Sequence, residues 1–140
     1  MVEKKKDANK AKVAREISKI WGGLESDQIA TLKEHVEITK YKKGEMIYQC
    51  DETPTDAMCL LTGKVKIFKD GINGKSQIIR VIKPNEFFGF RAYFANEIYK
   101  TAAQALDTCT VVHFPLPVLM KLLQKSYKIG YYFIKYLSVE

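Results

Sequence analysis

Residues 87–106 read FFGFRAYFANEIYKTAAQAL. Gly89 stands alone among bulky aromatics, a short helical run follows, and Lys100-Thr101 opens an apolar alternation. A glycine ahead of one helical turn is a common way to hold a phosphate, because free backbone N–H groups and the helix dipole both favour an anion. Gly89 and the helical run after it are therefore a candidate anion site. Other chemistries find little support. His35 and His113 are the only histidines and cannot form a His-x-His metal pair with a third histidine. Cys50, Cys59 and Cys109 are odd in number and contain no CxxC, so they suggest neither a zinc site nor a disulfide framework. They read as small buried hydrophobes in a reducing compartment. No nucleophile elbow, P-loop or paired-carboxylate motif occurs. The expectation is no catalytic residue, no metal and no cofactor, hence no enzyme.

The 140 residues carry a formal net charge of +7, which invites a nucleic-acid reading. Its distribution weakens that reading. Residues 1–20 hold seven Lys/Arg and three acids, and residues 118–140 hold four Lys and Glu140. The span 21–117 has twelve of each sign and is neutral. Basicity thus belongs to the two ends, and the first is read as a solvated basic tail. No apolar run approaches the ~18 residues of a membrane span, and no apolar segment follows the N-terminal lysines as a secretory signal requires. The chain is expected to be cytoplasmic.

The elements that would position the candidate residues follow from hydrophobic period. Val13, Ile17, Ile20 and Trp21 fall at helical spacing, ended by Gly22-Gly23. Ser26 or Asp27 can cap a second helix with Ile29, Leu32 and Val36 on one face. From residue 36 the period becomes two: Val36 and Ile38, then Met46 and Tyr48, then 57–61, a hairpin through Asp70–Lys75, then 101–106 and 110–114. Many short strands separated by turn signals indicate an all-β barrel or sandwich. Pro115 and Pro117 end it. Val118–Gln124 is helical, and Ser126 can cap a last helix that is too apolar and aromatic to face water alone.

Helix, eight-strand roll and two helices, together with YKKGEMIY (Tyr41–Tyr48), DAMCLLTGKVKIF (Asp56–Phe68), VIKPNEFFG (Val81–Gly89) and KTAAQAL (Lys100–Leu106), resemble the cyclic-nucleotide-binding-like sensor domain of the Crp/Fnr transcription regulators. The resemblance covers about residues 24–140. It implies a mainly β fold, a double-stranded β-helix or jelly roll with N-terminal and C-terminal helices, the last a dimerisation helix. It divides the chain into a basic tail and helix (1–23), the roll (24–117) and the C-terminal helices (118–140). It also implies a homodimer that binds DNA through a helix-turn-helix lying outside this chain. Ile129, Tyr132, Phe133 and Tyr136, with Val139, approximate the 3/4 spacing of a helix–helix seam.

In family members that bind cyclic AMP, the opening segment is a phosphate-binding cassette. A Gly-Glu pair opens its helix and an Arg followed by Ser or Thr closes it. Here Gly89 and Thr101 match, but Phe90 stands at the Glu position and Lys100 at the Arg position. Phe90 offers no acceptor to the ribose and adds a ring where the sugar would lie, while Lys100 lacks a planar two-pronged grip on phosphate. The resemblance therefore implies a roll that does not take cyclic AMP, and a Phe90→Glu, Lys100→Arg double change that raises affinity if only those positions matter. Phe87, Phe88, Phe90, Tyr93 and Phe94 either fill the nucleotide's volume or, with Arg91 and Lys100 at the rim, form a pocket for another anionic effector. Some relatives carry an iron–sulfur cluster ahead of the roll, where this chain has no cysteine. Others bind haem, for which His113 is the better of two poor candidates. Two further readings stand beside this one: a ligand-binding module of another signalling protein, and a cupin-like metal enzyme.

Overall fold

Strands form both where apolar and polar residues alternate, as over Val65–Asp70, and over short apolar runs, as over Asp56–Thr62. The computed structural model describes residues 2–139, with side chains from residue 9 onward. The order is α1 (Val2–Ile20), α2 (Ser26–His35), β1 (Glu37–Tyr41), β2 (Met46–Tyr48), β3 (Asp56–Thr62), β4 (Val65–Asp70), β5 (Ser76–Ile82), β6 (Phe87–Phe88), α3 (Arg91–Phe94), β7 (Ala102–Ala105), β8 (Cys109–Pro115), α4 (Leu116–Lys125) and α5 (Tyr127–Ser138). The strands make two four-stranded sheets, ordered β1-β8-β3-β6 and β2-β7-β4-β5. This is the expected mainly β jelly roll with flanking helices. Ile38 to His113 form one unit, and the residues up to Glu37 with those from Phe114 onward form a second, helical one.

Three turns of the roll are built alike. Lys42-Lys43-Gly44-Glu45, Gln49-Cys50-Asp51-Glu52 and Lys83-Pro84-Asn85-Glu86 each place a positive φ at the third residue: +91° at Gly44, +75° at Asp51, +71° at Asn85. In each, the glutamate side chain accepts the backbone N–H of the first residue, at 2.9, 2.8 and 2.8 Å. A left-handed residue followed by glutamate closes the turn on itself. Gly, Asp and Asn are the residues that tolerate that φ. The hairpin of β4 and β5 pairs Val65 with Ile82 and Asp70 with Ser76, with a bulge that leaves Ile79 unmatched between Ile67↔Arg80 and Phe68↔Ile78. That bulge bends the edge strand β5, as bulges at sheet edges commonly do.

In the helical unit, α1 starts at Val2, so the segment expected as a tail is helical. Lys, Ala and Glu, which dominate it, are strong helix formers. The side chains of residues 1–8, on which its solvation was read, lie outside the described residues. Gly22 and Gly23 stop α1 in a Schellman arrangement, with Gly23 N–H on Ser18 O at 2.7 Å and Gly22 N–H on Lys19 O at 3.2 Å. α2 is capped by Glu25, not by Ser26 or Asp27: a reciprocal box joins Glu25 and Gln28, including Glu25 N–H to Gln28 Oε1 at 3.0 Å. Ser126 precedes α5 without a side-chain capping bond. Trp21 anchors this unit, its indole edge-on to Phe114 at 5.7 Å and tilted on Phe133 at 5.8 Å.

Candidate functional site

Gly89 follows β6 at φ +81°, where a side chain would be strained. It is buried, and a Cβ there would overlap Met58 Cε and crowd the Tyr99 hydroxyl. That hydroxyl donates to the Gly89 carbonyl at 2.7 Å. The Tyr99 ring stacks on Tyr48, centroids 3.8 Å apart and planes 14° from parallel. Both rings, with Met58, Leu60, Phe88 and Val111, belong to the apolar cluster inside the roll. The residue that sequence reasoning passed over is thus Tyr99, one position before Lys100. Its backbone is fixed as well, bonded both ways to the Asp51–Glu52 turn: Asp51 N–H to Tyr99 O at 2.8 Å and Tyr99 N–H to Glu52 O at 3.0 Å.

The five expected cassette residues lie around this cluster with altered roles. Phe90 is fully buried but is not a member of the roll cluster. Its ring meets Phe94 edge-on at 6.1 Å and the Arg91 guanidinium at 5.6 Å. The ring hydrogen-bonded at Gly89 is that of Tyr99. Lys100 is turned outward and pairs with Glu97 at 3.1 Å, one helical turn back in sequence. Arg91 lies over the Phe90 ring and Lys100 pairs with Glu97. Thr101 sits half-buried just ahead of β7 and acts to lower the Tyr48 phenol against the effect of burial.

Burial holds the Tyr48 and Tyr99 phenols above their ordinary value of 10.0, and for Tyr99 the neighbouring Tyr48, Asp56 and Glu52 add to it. For Tyr48, Thr101 and the Arg80 charge partly offset burial. A phenol whose folded pKa is raised contributes stability in full below the unfolded pKa and loses it as pH rises through the folded one. The urea midpoint is therefore expected to begin falling as pH rises past about 10 and to go on falling above it, and to fall less in Tyr99→Phe. Equal losses in the two proteins would remove Tyr99 as the source.

His113 on β8 lies between two neighbouring strands. Its Nε2 is 2.8 Å from the Tyr41 hydroxyl on β1 and its Nδ1 is 3.5 Å from Asp56 Oδ2 on β3. Both ring nitrogens are engaged across the sheet, which is a structural role. The Tyr41 phenol is raised by burial and by the nearby Cys109, Asp56 and Glu45. His35 is exposed at the end of α2, its Nδ1 2.9 Å from Thr31 O. Cys59 and Cys109 are buried as expected, whereas Cys50 is exposed in the second of the glutamate-closed turns. Burial, with Asp107 and Glu45, pushes the Cys109 thiol up.

The expected seam residues divide. Ile129 and Phe133 are 0% and 3% exposed, because they close the core of their own helical unit around Trp21. They are not available to a partner, which corrects that reading, while Tyr132 and Tyr136 are half-buried beside them. The face of α5 that is open carries Tyr127, Tyr131 and Ile134, at 82%, 61% and 66% exposure.

A family model described as the cyclic nucleotide-binding domain matches residues 38–126. A protein of Haemophilus influenzae described as uncharacterized is 33% identical over 75 residues, 53% of this chain and 58% of that protein. Among solved structures, the sensor domain of the transcriptional regulator DNR from Pseudomonas aeruginosa superposes with a TM-score of 0.77 at 18% identity, covering 92% of this chain and 89% of that one. Thermus thermophilus catabolite activator protein gives 0.73 at 15% identity, covering 85% of this chain and 56% of that one. The chain thus spans little more than half the length of the Haemophilus relative and of the full-length activator. No helix among the described residues is long and apolar enough to cross a membrane.

Proposed function

Because the chain belongs to the cyclic nucleotide-binding domain family, we propose that it is the sensing and dimerisation part of a Crp/Fnr-type transcription regulator whose roll no longer takes cyclic AMP. The observation that carries this reading is the Tyr99 side chain, seated on Gly89 and stacked on Tyr48. The interior volume beside the cassette glycine is occupied by the protein itself. Calorimetric titration with cyclic AMP and cyclic GMP is the test, with no binding heat expected; micromolar binding of either would end this reading. The regulator's DNA contacts are assigned to a helix-turn-helix that these 140 residues do not include. The span 21–117 carries no net charge, which gives little support to a phosphate-binding face there.

Homodimerisation is assigned to the open face of α5. Tyr127, Tyr131, Ile134 and Ser138 follow each other at steps of four, three and four, the spacing of a helix–helix seam. This replaces the seam first read from Ile129, Tyr132, Phe133 and Tyr136. Ile134→Asp is expected to weaken self-association by about tenfold or more, since it sets a charge in an apolar contact, while leaving the fold intact. Sedimentation across a concentration series measures it. A dimer indifferent to Ile134→Asp would place the interface elsewhere.

A further inference from the structure

The geometry points to a binding site for a small aromatic carboxylate in the helical unit, in the groove between the end of α1 and one side of α5. The groove is shallow and open to solvent, with a volume of about 260 Å³, and its walls include Trp21, Gly22, Lys128, Tyr131, Tyr132 and Lys135. It lies wholly within that unit and shares no residue with the cassette. Lys128, Tyr131 or Tyr132, and Lys135 are spaced i, i+3 or i+4, and i+7, so one side of α5 offers aromatic rings flanked by two ammonium groups. Gly22 closes the opposite side, with the Lys128 stem at van der Waals distance from where a Gly22 side chain would begin.

The charges decide what fits. Among the described residues, Lys128 Nζ reaches the Gly23 carbonyl, at 3.4 Å, and Lys135 Nζ sits 5.1 Å over the Tyr131 ring. Neither partner carries a full negative charge, and no acidic residue among the described residues lines the groove. Two cations beside tyrosine faces complement a flat ring bearing an anion: the ring stacks, and the carboxylate takes charge-assisted hydrogen bonds from lysine. The volume lies just below the range of drug-sized pockets, which suits a ligand of one or two rings. Tyr127 also lines the groove and, with Tyr131, belongs to the face assigned to self-association. A ligand in the groove and a second α5 packed on that face therefore compete for the Tyr127–Tyr131 edge.

Trp21 is the chain's single tryptophan, so its fluorescence reports on the groove. The full chain is titrated with benzoate, and in parallel with benzyl alcohol (ring without charge) and acetate (charge without ring), with ligand-detected NMR as a second readout. Benzoate is expected to saturate in about the millimolar range or tighter. Both comparators should bind roughly tenfold more weakly or worse, and Lys128→Gln with Lys135→Gln should weaken benzoate by a similar factor. Both lysines are exposed, so far-UV circular dichroism of the double variant should match the parent. No benzoate binding up to about 10 mM, an acetate response equal to that of benzoate, or an unchanged affinity in the double variant would overturn the site. A Trp21 signal that follows protein concentration and ignores benzoate would overturn it too, assigning the groove to a second copy.

Discussion

Gly63→Ala is expected to cost about 2–5 kcal/mol, of which about 1–2 comes from the left-handed backbone and about 1–3 from overpacking. Gly63 sits at φ +95°, and a Cβ there would stand 2.6 Å from Thr108 O and 2.8 Å from Cys109 Cα. Both are backbone atoms of the segment entering β8 and cannot swing aside. Gly44 provides the control: its φ is +91°, and nothing lies within 4 Å of its Cβ position. Gly44→Ala should therefore show the backbone cost alone, about 1–2 kcal/mol. Gly89→Ala should fall between them. Its φ is +81°, but the atom overlapped is the terminal methyl of Met58, which can rotate away at some packing cost. Met58→Ala made together with Gly89→Ala should remove most of that excess in a double-mutant cycle. Urea unfolding gives the order directly. If Gly63→Ala cost no more than Gly44→Ala, close approach at Thr108 and Cys109 would not be what requires glycine there.

The same three glycines mark how far the sequence could be read. Each was visible as a strand-ending or helix-opening position, and the roll followed from period two between such positions. Gly44 needs glycine only for its own backbone, and that need is local. The close neighbours of Gly63 and Gly89 belong to β8 and β3, so sequence shows the glycine and not its reason. The glutamate-closed turns were half legible. Asp51 could be read as a tolerated left-handed residue, but the shared step from Gly44, Asp51 or Asn85 to the next glutamate becomes evident only when the side-chain bonds are seen. In α2, Glu25 took the capping position from Ser26 and Asp27 because Gln28 completes a reciprocal pair with it. α5 was legible as an apolar helix but not as an oriented one. Its residues are apolar on more than one side, and Trp21 and Phe114, remote in sequence, select the Ile129–Phe133 side for burial. Tyr99 was hidden for a similar reason: between Ile98 and Lys100 it reads as a loop aromatic, and its stacking partner Tyr48 lies on another strand.

Phe90→Glu with Lys100→Arg is expected to leave the chain inert toward cyclic AMP. The double change supplies an acceptor and a planar cation, contacts that contribute about 1–3 kcal/mol each when well made. It leaves Tyr99 on Gly89 and stacked on Tyr48. A nucleotide seated beside Gly89 would have to expel that ring, and truncating a buried aromatic costs about 3–5 kcal/mol. Displacement of this size weakens binding by more than about a hundredfold, which cancels most of the gain from the two polar changes. Tyr99→Ala added to the pair should reverse the balance. The triple variant is expected to lose about 3–5 kcal/mol of stability, and cyclic AMP should then raise its Tm in proportion to occupancy while leaving the parent and double variant unmoved. Tyr99→Ala alone, with Phe90 and Lys100 unchanged, should be as unstable as the triple variant yet gain little from the nucleotide. That separates the space the ring occupies from the contacts the cassette lacks. Micromolar cyclic AMP binding by the double variant would mean that Tyr99 gives way freely, and that Phe90 and Lys100 alone close the roll to nucleotides.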